Sequence, residues 1–114
     1  MNRELKLIRG DTFAFGVEFM GLDQELDTFY FTCQSIPQKE IIFQKSLEDG
    51  ISLVEMDTEK VSAIYRVRVA PEDTADLPPG SYFYDCEAGI NGDFFTLMEG
   101  KLILKPDATH RSGE

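Results

Sequence analysis

The chain has 114 residues, enough for one domain with an ordinary hydrophobic core. A hydrophobic content of 42% excludes a disordered segment, and nine Phe and four Tyr without a Trp favour strands over helices. With 11 Lys and Arg against 21 Asp and Glu, the net charge of -10 repels phosphate backbones and anionic lipid. Neither nucleic acid nor a membrane is therefore expected as a partner.

No apolar run approaches the roughly 18 residues that a membrane span needs. Met1 to Arg9 carries scattered charge and no apolar h-region, so synthesis in the cytoplasm without a secretory signal is expected. Thiols stay reduced there, and Cys33 and Cys86 read as small core residues. Both fall on inward strand positions that could be neighbours, so a bridge between them stays open.

In chain order, Leu5 and Leu7 alternate with Glu4 and Lys6 as a short half-buried strand. Arg9-Gly10-Asp11 is a turn, and also spells the integrin-binding tripeptide. Phe13, Phe15, Val17 and Phe19 form the clearest period-two run, followed by an acidic loop from Gly21 to Asp27. Phe29, Phe31 and Cys33 then point inward, with Thr28, Tyr30 and Thr32 outward, until Pro37 breaks the strand. A further strand runs from Ile41 to about Leu47, and Glu48-Asp49-Gly50 turns into Ile51 to Val54.

Met56 to Lys60 reads as a polar turn. Ala63, Tyr65, Val67 and Val69 face the core, leaving Ile64, Arg66 and Arg68 outside. Pro71 to Leu77 suits a single helical turn, with Pro and acids placed for a helix N-terminus. Past Gly80, Tyr82, Tyr84, Cys86, Ala88 and Ile90 share one face. Asn91-Gly92 accepts the positive φ of a type I′ hairpin turn and leads into Phe94 to Met98. Gly100 marks an expected bulge before Leu102 and Leu104, Pro106 ends the strand, and a polar tail follows. Tyr84-Asp85-Cys86 after a helical corner mimics a tyrosine corner; the alternative is that Tyr82 and Tyr84 are plain core aromatics.

Seven or eight short strands at turn spacings of roughly 8–12 residues, with no amphipathic helix to support a parallel sheet, predict an all-β fold. The expected architecture is an antiparallel β-sandwich with a short helical corner near residues 71–77. One domain over residues 1–109 with a flexible tail at 110–114 is expected.

Chemistry is hard to find. The one histidine, His110, lies four residues from the end, a poor place for a catalytic base, and three Cys and His in total make a zinc site improbable. Asp23, Glu25 and Asp27 alternate like the start of a calcium loop but lack its Gly and bidentate Glu. Asp85 and Glu87 share an outer face, as a solvated charged edge or an acid-base pair. No catalytic, metal or cofactor residues are assigned, and an enzyme is not expected. The candidate interaction face comprises Tyr30, Ile64, Arg66, Arg68, Phe83 and Asp85. Large apolar residues at outward positions, Tyr30, Ile64, Phe83 and Ile103, suggest cover by another subunit.

Three stretches together carry a resemblance: Leu7-Ile8-Arg9-Gly10-Asp11-Thr12-Phe13; Val69-Ala70-Pro71-Glu72-Asp73-Thr74 with Leu77-Pro78-Pro79-Gly80-Ser81-Tyr82-Phe83-Tyr84-Asp85; and Asn91-Gly92-Asp93 with Thr96-Leu97 and Gly100. In that order and spacing they resemble the immunoglobulin-like N-terminal domain of phage baseplate upper proteins and related prophage structural proteins of Gram-positive bacteria. The resemblance implies an immunoglobulin-like sandwich and a non-enzymatic building block of a tail or baseplate. It also implies several copies, docked onto other virion proteins as a homo-oligomer. In that family an extended helical or fibrous part follows this domain, whereas this sequence stops at Glu114. A carbohydrate- or protein-binding sandwich of non-phage origin is the alternative, with Tyr30 and Phe83 as a stacking platform and Asp85 as a polar partner.

Overall fold

The computed structural model describes residues 3–22, 24–35 and 40–106. In chain order the elements are β1 (Leu5–Ile8), β2 (Phe13–Met20), β3 (Thr28–Gln34), β4 (Ile41–Leu47), β5 (Gly50–Asp57), β6 (Ser62–Val69), α1 (Pro71–Thr74), β7 (Gly80–Ile90) and β8 (Asp93–Lys105). The strand order is β1-β8-β7-β3-β4-β5-β6-β2. That ladder folds into two layers at β4, which pairs antiparallel with β3 and, through Ser46 and Leu47, parallel with β5. One layer is β1-β8-β7-β3-β4 and the other β5-β6-β2. With β1 parallel to β8 and the remaining long pairs antiparallel, this is an immunoglobulin-like sandwich.

The core forms because each strand offers alternate apolar residues to the opposite layer. Phe29 and Phe31 of β3 meet Phe19, Tyr65 and Phe15 from the other sheet at ring-centroid distances of 5.6–5.8 Å among themselves. Most of these pairs are tilted or edge-on, the arrangement ring quadrupoles favour. Val67, Val69, Cys33, Cys86 and Ala88 are fully shielded beside them. The polar parts of the core find partners: the Tyr65 hydroxyl accepts the Leu26 N–H at 2.9 Å, tying the Gly21–Asp27 loop to β6.

The turns form where their chemistry demands. Asn91 and Gly92 both have positive φ, 53° and 84°, as a two-residue type I′ turn requires. The Arg9-Gly10-Asp11 turn is closed by Asp11 N–H donating to Ile8 and is pinned by Gly10 N–H donating to the buried Thr74 hydroxyl at 2.9 Å. At α1, the Asp73 carboxylate accepts the Ala70 N–H at 2.7 Å and lies 2.7 Å from Lys45 Nζ. That pair joins the helical corner to β4.

Several expectations need correction. Strand β5 continues through Met56 and Asp57, where a polar turn was expected, because a register shift around Val54 interrupts its alternation. The irregularity in β8 lies at Leu97, between Thr96 and Met98, and Gly100 pairs in regular register with Tyr84. Thr32 is not at the surface: it is 7% exposed, and its hydroxyl accepts the Gln44 side-chain amide at 2.9 Å. Tyr82 is only half-buried. It is Tyr82, whose hydroxyl donates to the Pro78 carbonyl four residues back at 2.5 Å, that makes the corner-like bond. Tyr84 is buried, stacks on Phe31 and donates to the Arg3 carbonyl, fastening the chain ahead of β1. Cys33 and Cys86 are free, buried, and diagonal neighbours within one sheet, since Cys33 pairs with Tyr84 and Cys86 with Phe31. Pro37, His110 and the polar tail lie outside the described residues.

Candidate interaction faces

The six candidate residues fall on two faces, on opposite sides of the sandwich. Tyr30, Phe83 and Asp85 stand on the outer face of the β3–β7–β8 sheet. Ile64, Arg66 and Arg68 stand on the outer face of β6 in the other sheet.

On the first face, Asp85 sits between Thr32 of β3 and Glu99 of β8, with Glu87 two residues along its own strand. Partial burial, and then the charges of Glu87 and Glu99, raise its carboxyl above the usual carboxylate range. Phe83 lies opposite Gln34 and Tyr30 opposite Glu87, so the two rings flank Asp85 rather than touch. Both are half-buried, so part of each side chain stays open to a partner. The far end of this face is closed by Gly89. A side chain there would meet the Thr28 hydroxyl at 2.4 Å and the Phe94 ring at 2.7 Å, so the glycine gives Phe94 its seat.

On the second face, Arg66 lies between Gly16 of β2 and Ser52 of β5, and Arg68 lies beside Ala14. Ile64 lies between Glu18 and Glu55. Among the described residues neither arginine has an ion-pair partner. Together with Glu48, Gly50 and Ser52 they line a shallow groove of about 320 Å³.

The two thiols lie in the core, off both faces. Burial pushes the Cys33 thiol up to about 12, and burial with the Asp85 charge does the same to Cys86, so neither is a nucleophile near neutral pH. Among the described residues, no three His, Cys, Asp or Glu side chains cluster to hold a metal ion. Of the acidic-loop residues, Asp23 lies outside the described residues. Asp27 instead serves the hairpin, its carboxylate accepting the Asn91 N–H at 2.9 Å. Among the described residues, no helix is long and apolar enough to cross a membrane.

The strongly exposed apolar residues are not the ones that alternation singled out. Among the described residues they are Ile8, Met20, Ile41, Val54, Phe94 and Phe95, with Met20 72% and Phe94 64% exposed. Phe94-Phe95 directly after an Asn-Gly turn was a usable signal, because adjacent strand residues face opposite ways and both cannot be buried at a hairpin tip. A further apolar cleft of about 490 Å³ opens between β2 and the β1–β8 edge, lined by Phe13, Phe15, Val17, Leu97, Arg3 and Glu18 among others. No sequence pattern pointed to it, since it depends on which strands end up outermost.

No protein-family model matches the chain, and no curated protein matches it in sequence. Among solved structures it is similar to CopC from Methylosinus trichosporium OB3b, with 10% identity and a TM-score of 0.46 over 95% of this chain and 89% of that one. It is also similar to a protein from a photo-crosslinking study of multimeric cell-adhesive interactions of VGSC beta subunits. That match has 14% identity and a TM-score of 0.42, over 95% of this chain and 93% of that one.

Proposed function

We propose that the chain is a non-enzymatic structural module of a phage or prophage tail or baseplate, assembled in the bacterial cytoplasm and docking onto other virion proteins. The observation that supports this most is the pair of broad outer faces. One offers half-buried Tyr30 and Phe83 around Asp85; the other offers Ile64 with Arg66 and Arg68, which have no ion-pair partner among the described residues. Sheet faces with aromatic and arginine side chains suit protein contacts, where such residues carry most of the binding energy. The stretches that resemble baseplate upper proteins all lie at structural corners: the turn pinned to Thr74, the α1–β7 corner and the type I′ hairpin.

The test is placement. Tail or portal genes beside the coding sequence, together with detection of the chain in purified particles by mass spectrometry, are the expected results. A sugar-utilisation neighbourhood with no trace of the chain in particles would overturn the reading.

Tyr30, Phe83 and Asp85 share one face, and this favours carbohydrate binding as the second reading. A screen against a broad glycan array decides it: binding abolished by Tyr30→Ala would support it, and an array without hits would remove it.

A further inference from the structure

The two outermost strands of the ladder are β1 and β2, and they are protected very differently. Strand β1 is four residues long and carries Lys6, the short, charged form by which edges are normally blunted. Strand β2 runs for eight residues, Phe-Ala-Phe-Gly-Val-Glu-Phe-Met, with no Pro, Lys or Arg. Its register against β6 is unbroken from Phe13 to Met20, so no bulge bends it away. Its other side pairs with nothing among the described residues. The inward residues Phe13, Phe15 and Val17 remain half-buried, because they border the open cleft between β2 and the β1–β8 edge.

From this edge we propose that a second copy of the chain pairs antiparallel with β2, joining β5-β6-β2 of each copy into one six-stranded sheet across a two-fold axis. The pattern of β2 is self-complementary. Antiparallel partners share a face, so inward must meet inward, and of the registers this allows, those centred on Gly16 or on Val17 keep the most of Phe13–Met20 paired. Centred on Gly16, Phe15 faces Val17 of the second copy, Phe13 faces Phe19, and Ala14 faces Glu18. Beyond Ala14 within the same copy stands Arg68. Centred on Val17, Gly16 faces Glu18 of the second copy, and beyond Gly16 stands Arg66.

In either register the one charge on β2 meets an arginine that has no ion-pair partner among the described residues, across a residue with little or no side chain. Two strand spacings are about 10 Å between backbones, which extended Arg and Glu side chains span together. The two-fold axis makes each such contact twice. Phe13, Phe15 and Val17 are covered in the same step. This pairing rests on the β2 edge alone and does not depend on the virion setting.

Sedimentation equilibrium of the isolated chain, from about 1 µM to about 500 µM, is the test. A reversible dimer is expected. Gly16→Glu has room at its Cβ, which would meet nothing closer than 3.8 Å, and it should weaken the dimer at least about tenfold, because in the first register it faces its own copy across the axis and in the second it faces Glu18. Glu18→Arg should weaken it similarly, and combining it with Arg66→Glu and Arg68→Glu should restore it. Gly16→Cys for the Gly16-centred register, and Gly16→Cys with Glu18→Cys for the Val17-centred one, oxidised at high concentration, should give a covalent dimer, a readout that survives if a charged variant folds poorly. A chain that stays monomeric throughout overturns the pairing. So does a dimer that Gly16→Glu leaves unchanged. Neither result bears on presence in virions, which mass spectrometry of particles reads separately.

Discussion

At the residue scale, the most consequential side chains are those whose surroundings oppose their ordinary state. Asp85 stands directly opposite Glu99 and near Glu87, partly withdrawn from water. Its raised folded-state pKa means that folding favours the protonated acid, so the stability this one group contributes is present at low pH and is lost as pH rises through that pKa. Asp85→Asn removes the conflict, and should raise unfolding stability at pH 7 by roughly 0.2–1 kcal/mol, the range for like charges across a strand pair. The advantage should shrink as pH falls through the raised pKa. Urea melts at pH 7 and at the acid end of the carboxylate range check it, and a variant equally stabilised at both would point to packing instead. Gly89 tests the opposite case, a site with no room. Gly89→Ala puts a methyl 2.4 Å from the Thr28 hydroxyl and 2.7 Å from the Phe94 ring, and should cost about 1–3 kcal/mol in thermal or urea unfolding. Phe94→Ala in the same background should recover part of that loss, because the ring would no longer need to move.

At the element scale, the chain could be read wherever alternation ran unbroken and failed wherever a bulge interrupted it. Strands β2, β3 and β6 follow from Phe13 to Phe19, Phe29 to Cys33 and Ala63 to Val69 because each inward residue falls two after the last. In β5 the extra residue at Val54 moves the inward position from Leu53 to Met56, and that one-residue slip makes the strand end look like a turn. The same slip at Leu97 displaced the expected bulge to Gly100, the nearest residue with a backbone reason to host one. The α1 corner was readable from Pro71 and its acids, but what fastens it was not. Lys45 is 28 residues away in sequence, and only the sandwich brings it to Asp73, where both side chains are 15% exposed or less. Asp73→Ala removes the acceptor for the Ala70 N–H and strands the Lys45 charge. It should therefore cost about 2–4 kcal/mol, more than a surface ion pair would. Comparing it in urea melts with Lys45→Met separates the two contributions. If the Lys45→Met, Asp73→Ala double variant recovers more than half of what Asp73→Ala loses, the stranded charge is the larger part.

At the scale of the whole molecule, the candidate face divides because strand order is a long-range property that local pattern does not carry. Tyr30 and Arg66 both alternate outward, yet they belong to sheets whose outer faces point in opposite directions. What the two sheets share is the core between them, and there the two thiols couple the entire fold to pH. In the unfolded chain Cys33 and Cys86 ionise near the ordinary thiol value of about 8.5; in the fold burial holds both protonated up to about 12. Their folded-state pKa values are raised, so the stability they confer is complete below about pH 8.5 and is withdrawn between there and about 12. Each thiol should remove up to about 1.4 kcal/mol per pH unit over that window, and the buried hydroxyl of Tyr84, also raised to about 12, adds to the loss above about pH 10. A domain with an ordinary 5–15 kcal/mol of stability should then be level from pH 7 to 8 and unfold cooperatively near pH 11. Urea midpoints measured across pH 7–10.5 give the slope. The Cys33→Ala, Cys86→Ala double variant should start less stable and fall more gently, as only the tyrosines remain to titrate. If it falls just as steeply, the thiols are not what links the core to pH, and repulsion among the 21 carboxylates and the ionised tyrosines takes their place.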